Sequence, residues 1–320
     1  MTPLPPLPRH GGDLSFATRI YGAPMNGWLD LSTGINPNAY PAPSIPQEAL
    51  QRLPDREALL TLLAVARRAY RVPDGVDLIA VPGTEAAIRL LPTIGLPGKV
   101  AVLSPTYGTY AAVWPEAAHV RVLPTDAAVA VIVNPNNPDG RITPPQDLPR
   151  APFLIVDEAF ADAAPEASVI PTMRGMKAIV LRSLGKFYGL AGLRLGFVAA
   201  PQVVAERISA GFGDWPVSGP AIVVGTAALA DDAWRTAMRA QLKQEAAALR
   251  TLLAAHDLNV VGGTDLFVLI ETDDAPALHR ALATQGVWTR AFADNPRWLR
   301  LGLPGAAQME RLAAALSAVR

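Results

Sequence analysis

The sequence of 320 residues contains no cysteine, and neither sign of charge is in surplus. Without cysteine the chain has no disulfide bond, no thiolate nucleophile and no cysteine-ligated zinc site. Lysine plus arginine equal aspartate plus glutamate at 28 each. Such a balance gives no overall electrostatic field that would favour nucleic acid or an anionic membrane, so we expect neither as a partner. An anionic ligand would have to be held by local groups.

Signals for export and membrane insertion are also missing from the sequence. Residues 1–8 are rich in proline and contain no basic segment followed by an apolar one, so we expect a cytoplasmic protein. No apolar stretch approaches ~18 residues without a charge, a proline or a glycine, so no transmembrane helix is expected. Half of the residues are hydrophobic, which suffices for one large α/β domain and a smaller lobe.

Short apolar runs alternate with helical patterns in the first two thirds of the chain. Continuous apolar strands separated by helices are typical of a mainly parallel sheet covered on both faces. We therefore predict an α/β fold with a seven-stranded sheet. The predicted strands are residues 77–81, 99–103, 119–123, 127–133, 153–156, 177–181 and 195–199.

The pattern changes after residue 215. Two long helical stretches are followed by short strand patterns, at residues 259–262, 266–271, 287–292 and 298–301, and by two more helices. This mixture indicates a smaller α+β domain. We predict a large domain at residues 35–214, and a smaller one built from an N-terminal arm, residues 1–34, together with residues 215–320.

Lys186 lies between a predicted strand and a glycine-rich turn, in the sequence Leu-Arg-Ser-Leu-Gly-Lys-Phe-Tyr-Gly. Burial disfavours an ammonium ion and lowers its pKa, which makes the amine a nucleophile for a carbonyl cofactor. Ser183 and Arg194 lie nearby in sequence and suit a phosphate group. A single lysine after a strand is most often a surface residue, so this interpretation depends on the other strand ends.

Two further strand ends carry groups suited to phosphate and to a flat ring. Gly83 and Thr84 lie at a strand-to-helix turn, where backbone N–H groups can bind phosphate, although Gly-Thr also begins ordinary helices. Tyr107 follows the next strand, and ligands gather at such strand ends in open α/β sheets. Its ring could stack on a heteroaromatic cofactor or bridge the loop and the core.

Two later strands end in an amide and a carboxylate. Asn134 could donate to a phenolate oxygen or simply form a turn. Asp157 follows a buried strand, and a carboxylate beside a pyridine nitrogen keeps that nitrogen protonated. Asp-Glu after a strand can also bind a metal, but no Gly-x-x-x-x-Gly-Lys-Ser/Thr loop accompanies it, and we predict no metal site.

These strand ends together resemble the fold-type I pyridoxal phosphate enzymes, the aspartate aminotransferase superfamily. The resemblance implies pyridoxal 5′-phosphate as cofactor, with Lys186 as the Schiff-base lysine and Asp157 as the partner of the pyridinium nitrogen. It also implies that Asn134 bonds the cofactor's 3′-oxygen and that Tyr107 stacks on its ring. The implied phosphate ligands are Gly83, Thr84, Ser183 and Arg194.

Motifs near the two termini narrow the resemblance. Residues 10–12 with 31–37, and residues 298–304, resemble the threonine-phosphate decarboxylases of cobalamin biosynthesis, whose close relatives are histidinol-phosphate aminotransferases. This implies a homodimeric lyase that converts L-threonine O-3-phosphate to (R)-1-aminopropan-2-ol O-phosphate. Transamination is the alternative, and a non-catalytic binding or regulatory module on the same fold is a minor one. The implied substrate contacts are His10, Asn36 and Arg300, with Arg300 meeting the carboxylate.

Three positions depart from the aminotransferase pattern. Leu53 stands where histidinol-phosphate aminotransferases usually carry a tyrosine that reaches the neighbouring subunit. Phe160 lacks the hydroxyl group usual after Asp-Glu-Ala, and Gly185 replaces a Ser or Thr before the lysine. Phe160 and Gly185 favour the decarboxylases, whereas Leu53 fits neither group well.

Overall fold

The computed structural model describes residue 8 and residues 10–319, which form two compact units. The large unit comprises residues 39–137 and 141–238. The small unit comprises the described residues up to 38, residues 138–140, and the chain from residue 239 onward. The domain boundaries predicted after residues 34 and 214 stay predictions, and residues 215–238 belong to the large compact unit.

Most of the longer α-helices among the described residues follow a residue whose side chain accepts a hydrogen bond from a backbone N–H group of the first turn. α3, for example, begins after Asp55, whose carboxylate accepts from the N–H group of Ala58 at 2.9 Å. The helices are α1 (Leu14–Tyr21), α2 (Glu48–Gln51), α3 (Arg56–Tyr70), α4 (Thr84–Leu90), α5 (Thr109–Val113), α6 (Gln202–Phe212), α7 (Gly219–Ala230), α8 (Asp232–Ala255), α9 (Ala275–Thr284) and α10 (Met309–Ala318).

The strands of the large unit are short and mostly apolar. The strands of the described chain are β1 (Leu29–Asp30), β2 (Asp77–Val81), β3 (Val100–Leu103), β4 (Ala118–Val120), β5 (Val129–Val133), β6 (Phe153–Asp157), β7 (Ala178–Ser183), β8 (Gly196–Ala200), β9 (Asn259–Thr264), β10 (Phe267–Glu271), β11 (Val287–Trp288), β12 (Arg290–Phe292) and β13 (Asn295–Gly302).

The large unit contains the predicted seven-stranded sheet, in the order β2-β8-β7-β6-β5-β3-β4. β8 runs antiparallel to both of its neighbours, and the other pairs are parallel. Every residue of β5, β6, β7 and β8 is buried, as expected for strands with both faces covered. The parallel strands β5, β6 and β7 therefore direct their carboxyl ends to one edge of the sheet.

Helices α3 and α7 pack against each other in the large unit. α3 buries Leu62, Ala66 and Tyr70, which recur every four residues and so lie on one face. On α7, a Cβ atom added to Gly225 would lie 2.3 Å from Leu195 and 3.2 Å from Leu62. The glycine therefore permits the close approach of the two helices.

The small unit contains an antiparallel sheet in the order β12-β13-β10-β9 and a separate parallel pair, β1-β11. The sequence predicts one strand at residues 287–292, and this prediction is wrong in detail. The segment divides at Thr289, because β11 pairs with β1 whereas β12 pairs with β13. Among the described residues, no helix has the length and apolar character needed to cross a membrane.

Candidate active site

The register of the central strands brings three predicted strand-end residues together. Val133 pairs with Asp157, and Asp157 pairs with Leu181 on β7. The N–H group of Asn134 donates to the carbonyl oxygen of Asp157 at 2.8 Å. Ser183 ends β7 two residues beyond Leu181, so the segment that carries Lys186 begins at the same edge of the sheet.

Asp157 is a buried carboxylate with two donors. Its side chain is 3% exposed, Oδ2 accepts from the hydroxyl group of Tyr110 at 3.1 Å, and Oδ1 accepts from the N–H group of Ala159 at 3.0 Å. Burial raises the pKa of Asp157 to about 6, although both hydrogen bonds and the charge of Lys186 act in the opposite direction. The carboxyl group of Asp157 therefore loses its proton at a higher pH than an exposed aspartate does.

Lys186 lies in a turn beside Asp157. Its Nζ atom lies 5.7 Å from the centre of the Phe160 ring, and its charge acts on the Asp157 carboxyl group. The turn is fixed by its own backbone, since the N–H group of Gly189 donates to the carbonyl oxygen of Lys186 at 3.1 Å. Phe160, one of the three departures in the sequence, thus presents an aromatic ring to the lysine.

Gly83, Thr84 and Arg194 form a compact corner at the start of α4. Gly83 has φ +83°, and a Cβ atom there would lie 2.6 Å from Nη2 of Arg194. Gly196 pairs with both Ser183 and Val81, and a Cβ atom on it would lie 3.0 Å from the backbone nitrogen of Thr84. The fold therefore brings all four predicted phosphate ligands to one corner, with a guanidinium group against the glycine.

Tyr107 is held by a carboxylate that the sequence had not indicated. Its hydroxyl group donates to Glu85 at 3.0 Å, and the hydroxyl group of Thr109 donates to the same carboxylate at 3.2 Å. Its ring meets that of Tyr110 edge to face, with 6.4 Å between the centres. Burial raises the pKa of Tyr107 to about 12, so the phenol stays protonated. These contacts fix the plane of the ring.

Asn134 is enclosed by its own turn. Its Nδ2 atom donates to the carbonyl oxygens of Thr143 and Ala167, both at 2.9 Å, and its Oδ1 atom accepts from the N–H group of Thr143 at 2.8 Å. The side chain is fully buried. Both N–H donors are thereby occupied, and this arrangement speaks against the predicted contact of Asn134 with a cofactor oxygen.

The two other asparagines of this turn differ from each other. Asn136 donates to the carbonyl oxygen of Pro105 at 2.9 Å and accepts from the hydroxyl group of Thr106 at 2.8 Å. Asn137 is half-buried. Sequence reasoning chose the first asparagine of Asn-Pro-Asn-Asn-Pro because it directly follows the strand.

Within the small unit, the fold packs the two terminal motifs against each other. The N–H group of Gly302 donates to the carbonyl oxygen of Leu31 at 2.7 Å, and a Cβ atom on Gly302 would lie 2.1 Å from the carbonyl oxygen of Thr33. Asn36 is buried, and its Oδ1 atom accepts from the N–H group of Asn38 at 2.8 Å. Glycine at position 302 is therefore required for this packing.

Arg300 is a buried cation on β13. It is 6% exposed, its Nη2 atom donates to the carbonyl oxygen of Ser32 at 2.9 Å, and its guanidinium group lies 5.0 Å from the centre of the Phe267 ring. Its direct cross-strand partner on β12 is Arg290. Two arginine side chains therefore occupy directly opposite positions on neighbouring strands of the small unit.

His10 lines a small cavity of the small unit together with Ser32, Arg290 and His279. The ring of His279 is buried, its Nδ1 atom lies 2.8 Å from the hydroxyl oxygen of Thr289, and burial lowers its pKa to about 4. The sequence predicts a role for His10 but gives none to Arg290, which lines the same cavity.

Comparisons with known proteins agree with one another. The family model of aminotransferase class I and II matches residues 117–316. A threonine-phosphate decarboxylase from Sinorhizobium sp is 42% identical, covering 96% of this chain and 97% of the relative. Another from Pseudomonas aeruginosa is 38% identical, covering 96% of each. The crystal structure of histidinol-phosphate aminotransferase from Sinorhizobium meliloti in complex with pyridoxal 5′-phosphate has a TM-score of 0.76 at 22% identity, covering 95% of this chain and 94% of that one.

Proposed function

Because the chain belongs to the aminotransferase class I and II family, we propose that it is a pyridoxal-phosphate-dependent threonine-phosphate decarboxylase of cobalamin biosynthesis. The observation that carries the proposal is the similarity, at 42% and 38% identity over nearly the whole chain, to two proteins of that name. The proposed reaction releases carbon dioxide from L-threonine O-3-phosphate and leaves (R)-1-aminopropan-2-ol O-phosphate.

Pyridoxal 5′-phosphate is the cofactor of this family, and the large unit has groups that fit it. Asp157 is a buried carboxylate suited to a protonated pyridine nitrogen, and Lys186 lies beside it. The corner of Gly83 and Arg194 combines a guanidinium group with backbone N–H groups, which suits a phosphate group. Tyr107, fixed by Glu85, offers the ring for stacking.

When bound, the cofactor supplies an electron sink for the pair of electrons released at the substrate's Cα. Asp157 keeps the ring nitrogen protonated, which strengthens that sink. Lys186 would hold the cofactor through its side-chain amine and, as a free amine, would deliver a proton to Cα of the substrate. Decarboxylation and transamination share these contacts, so the reaction depends on which bond at Cα the substrate-binding residues orient.

We propose that Asn137, in place of Asn134, donates to the cofactor's 3′-oxygen. Support for this assignment comes from burial, since the side chains of Asn134 and Asn136 are buried and both N–H donors of Asn134 bond to backbone carbonyl oxygens. Asn137 belongs to the same turn and is half-buried, so solvent reaches part of it.

The charge of the substrate matches the cations of the small unit. Threonine phosphate carries a carboxylate and a phosphate, and Arg290 and Arg300 stand opposite each other on β12 and β13. Arg300 is assigned to the carboxylate, for which a planar guanidinium group is well suited. His10 and Arg290 lie close together beside Ser32 and are assigned to the phosphate, and Asn36 is assigned to the substrate side.

A substrate assay separates decarboxylation from transamination. Purified protein loaded with pyridoxal phosphate is incubated with L-threonine O-3-phosphate, and carbon dioxide release is measured beside amino transfer to 2-oxoglutarate. We expect carbon dioxide without a requirement for a keto acid. In a parallel incubation with histidinol phosphate and 2-oxoglutarate, rapid amino transfer, together with no carbon dioxide from threonine phosphate, would instead establish the aminotransferase activity for which two structural relatives are named.

A spectroscopic assay tests the alternative of a non-catalytic module on this fold. We expect a visible absorption band on addition of pyridoxal phosphate, which borohydride abolishes and which Lys186→Ala lacks. The presence of both Lys186 and Asp157 in the sequence supports a working enzyme. An unchanged band in Lys186→Ala would overturn the assignment of the lysine.

Members of this family are typically dimers, and we propose that this chain forms a homodimer in the cytoplasm. A groove of about 490 Å³ on the large unit is lined by Arg52, Leu53 and Ile222, among others. Leu50 and Leu53 nearby are 69% and 67% exposed. Apolar side chains exposed beside a groove are typical of surfaces that another chain covers.

A further inference from the structure

Tyr110 is a tyrosine in the large unit to which the proposed mechanism gives no role. It is fully buried, and its hydroxyl group donates to Oδ2 of Asp157 at 3.1 Å. Its ring lies parallel to that of Trp114, with 6.3 Å between the centres, and edge to face against Tyr107. Packing against two rings fixes the plane of the Tyr110 ring, whose hydroxyl group lies at the carboxylate of Asp157.

A hydrogen bond from a neutral phenol favours the ionised form of a carboxyl group. Asp157 needs such help, because burial favours its neutral form, and a neutral carboxyl group cannot form an ion pair with a pyridinium nitrogen. The charged and titratable groups that act on it are Lys186 from the turn after β7, which favours ionisation, and Glu85 from α4, which opposes it. Tyr107, from the loop before α5, is held by Glu85.

We propose that Tyr110 is a positioning residue that holds the Asp157 carboxylate ionised and in one orientation, so that it can pair with the protonated ring of the cofactor. The backbone N–H group of Ala159 fixes the other carboxylate oxygen. The two donors together define the plane of the carboxylate. This inference deepens the proposed function, because it rests on the pairing of Asp157 with pyridoxal phosphate.

The test compares Tyr110→Phe with Tyr70→Phe in the full-length chain. Both substitutions remove one buried hydroxyl oxygen from the large unit. Tyr70 is 4% exposed, and its hydroxyl group has no hydrogen-bond partner among the residues that the structure describes, so it is a matched control. The dissociation constant of pyridoxal phosphate is measured by equilibrium dialysis between pH 5 and pH 9.

In the unaltered chain we expect the affinity for pyridoxal phosphate to fall on the acid side as Asp157 takes up a proton. Loss of one hydrogen bond to a carboxylate moves that fall upward by about one pH unit in Tyr110→Phe, which is about a tenfold change in the proton affinity. In Tyr70→Phe we expect the affinity for pyridoxal phosphate to fall at the same pH as in the unaltered chain. Coincident pH profiles for the two variants would overturn the proposal.

Thermal unfolding without added cofactor gives a second readout that does not depend on the reaction. A carboxyl group whose pKa is raised by folding contributes stability at low pH that is lost as the pH rises through its folded value. The loss due to Asp157 should move to higher pH in Tyr110→Phe and should be absent when Asp157→Asn is combined with either tyrosine variant. Tyr110→Phe could instead change the pH dependence of thermal unfolding equally in the chain with Asp157 and in the chain with Asp157→Asn. That result would show that the hydroxyl group does not act through the carboxylate.

The two proposals can fail separately. Absence of carbon dioxide release from threonine phosphate, with a shifted pH profile in Tyr110→Phe, would overturn the decarboxylase assignment and leave the role of Tyr110 intact. Carbon dioxide release, with no shift in the pH profile of cofactor affinity or of thermal unfolding, would support the decarboxylase assignment and overturn the role of Tyr110.

Discussion

Asn134 and Asn137 stand three residues apart in one turn, yet their side chains differ in burial. Replacing Asn134 with alanine removes its hydrogen bonds to the carbonyl oxygens of Thr143 and Ala167 and its bond from the N–H group of Thr143. We expect Asn134→Ala to lower the free energy of unfolding by about 3 kcal/mol, at about 1 kcal/mol for each hydrogen bond, as measured by urea denaturation.

Asn137→Ala is the matched comparison. We expect its unfolding free energy to stay within about 1 kcal/mol of the unaltered chain, as for a half-buried side chain, while the affinity for pyridoxal phosphate falls about tenfold. The reverse pattern, with a stable Asn134→Ala that binds cofactor weakly, would restore the assignment made from the sequence.

His279 gives the small unit a sensitivity to acid. Its folded pKa of about 4 lies below the ordinary value of 6.5, so the fold favours the neutral ring. Its contribution to stability is present above pH 6.5 and is lost as the pH falls toward 4, by up to about 3 kcal/mol. Urea denaturation at pH 7 and pH 4.5 should show a smaller acid loss in His279→Gln than in the exposed-site control His119→Gln.

What the sequence could reveal at this scale was residue type and order. It identified the strand ends that carry Asp157 and Lys186, because apolar runs that stop at a polar residue are visible in one dimension. It could not show that the side-chain amide of Asn134 bonds to the backbone of Thr143 and Ala167, or that the hydroxyl group of Tyr110, on α5, donates to Asp157. Both facts depend on side-chain direction and strand register, which no local pattern encodes.

At the scale of elements, a buried ion-pair network joins β7 to the loop after β6. Arg182 lies 2.9 Å from Glu158 and 2.5 Å from Asp162, and all three side chains are at most 4% exposed. We expect Arg182→Met to lower the free energy of unfolding by about 3 to 5 kcal/mol, because two buried carboxylates lose their cation.

Arg297→Met is the control for this network. Arg297 forms ion pairs with Glu271 and Asp273 at the surface of the small unit, and its side chain is 54% exposed. Exposed pairs contribute at most about 1 kcal/mol, so chemical denaturation should show a small change. Equal losses in the two variants would mean that the buried network contributes no more than a surface pair.

Most of the seven strands of the large unit were predictable because they contain short apolar runs next to a helix or a turn, whereas the edge strand β4 is exposed and carries His119. The division of residues 287–292 into two strands was not predictable from the sequence, because β11 and β12 pair with different strands, β1 and β13. A run of six residues with strand propensity is compatible with one strand or two, and the partners decide between them.

At the scale of the whole molecule, the proposed homodimer can be tested at Leu53. We expect Leu53→Asp to place a charge in the covered surface and to reduce the mass measured by light scattering from two chains to one chain of 33.8 kDa. Val203→Asp, on α6 at a site that is 60% exposed, is the control and should remain dimeric. A monomer in the unaltered protein would contradict the proposal directly.

The small unit is assembled from segments at opposite ends of the chain, and this constrains how the protein is made. Leu29 pairs with Val287, so β1 cannot form until the ribosome has added almost all of the later sequence. Until then, the apolar faces of Phe16 and Ala17 lack Ala283 and Trp288, against which they pack in the finished fold. During synthesis, the apolar residues of α1 therefore stay exposed until the residues that cover them have been added. A chaperone could bind this apolar segment in that interval.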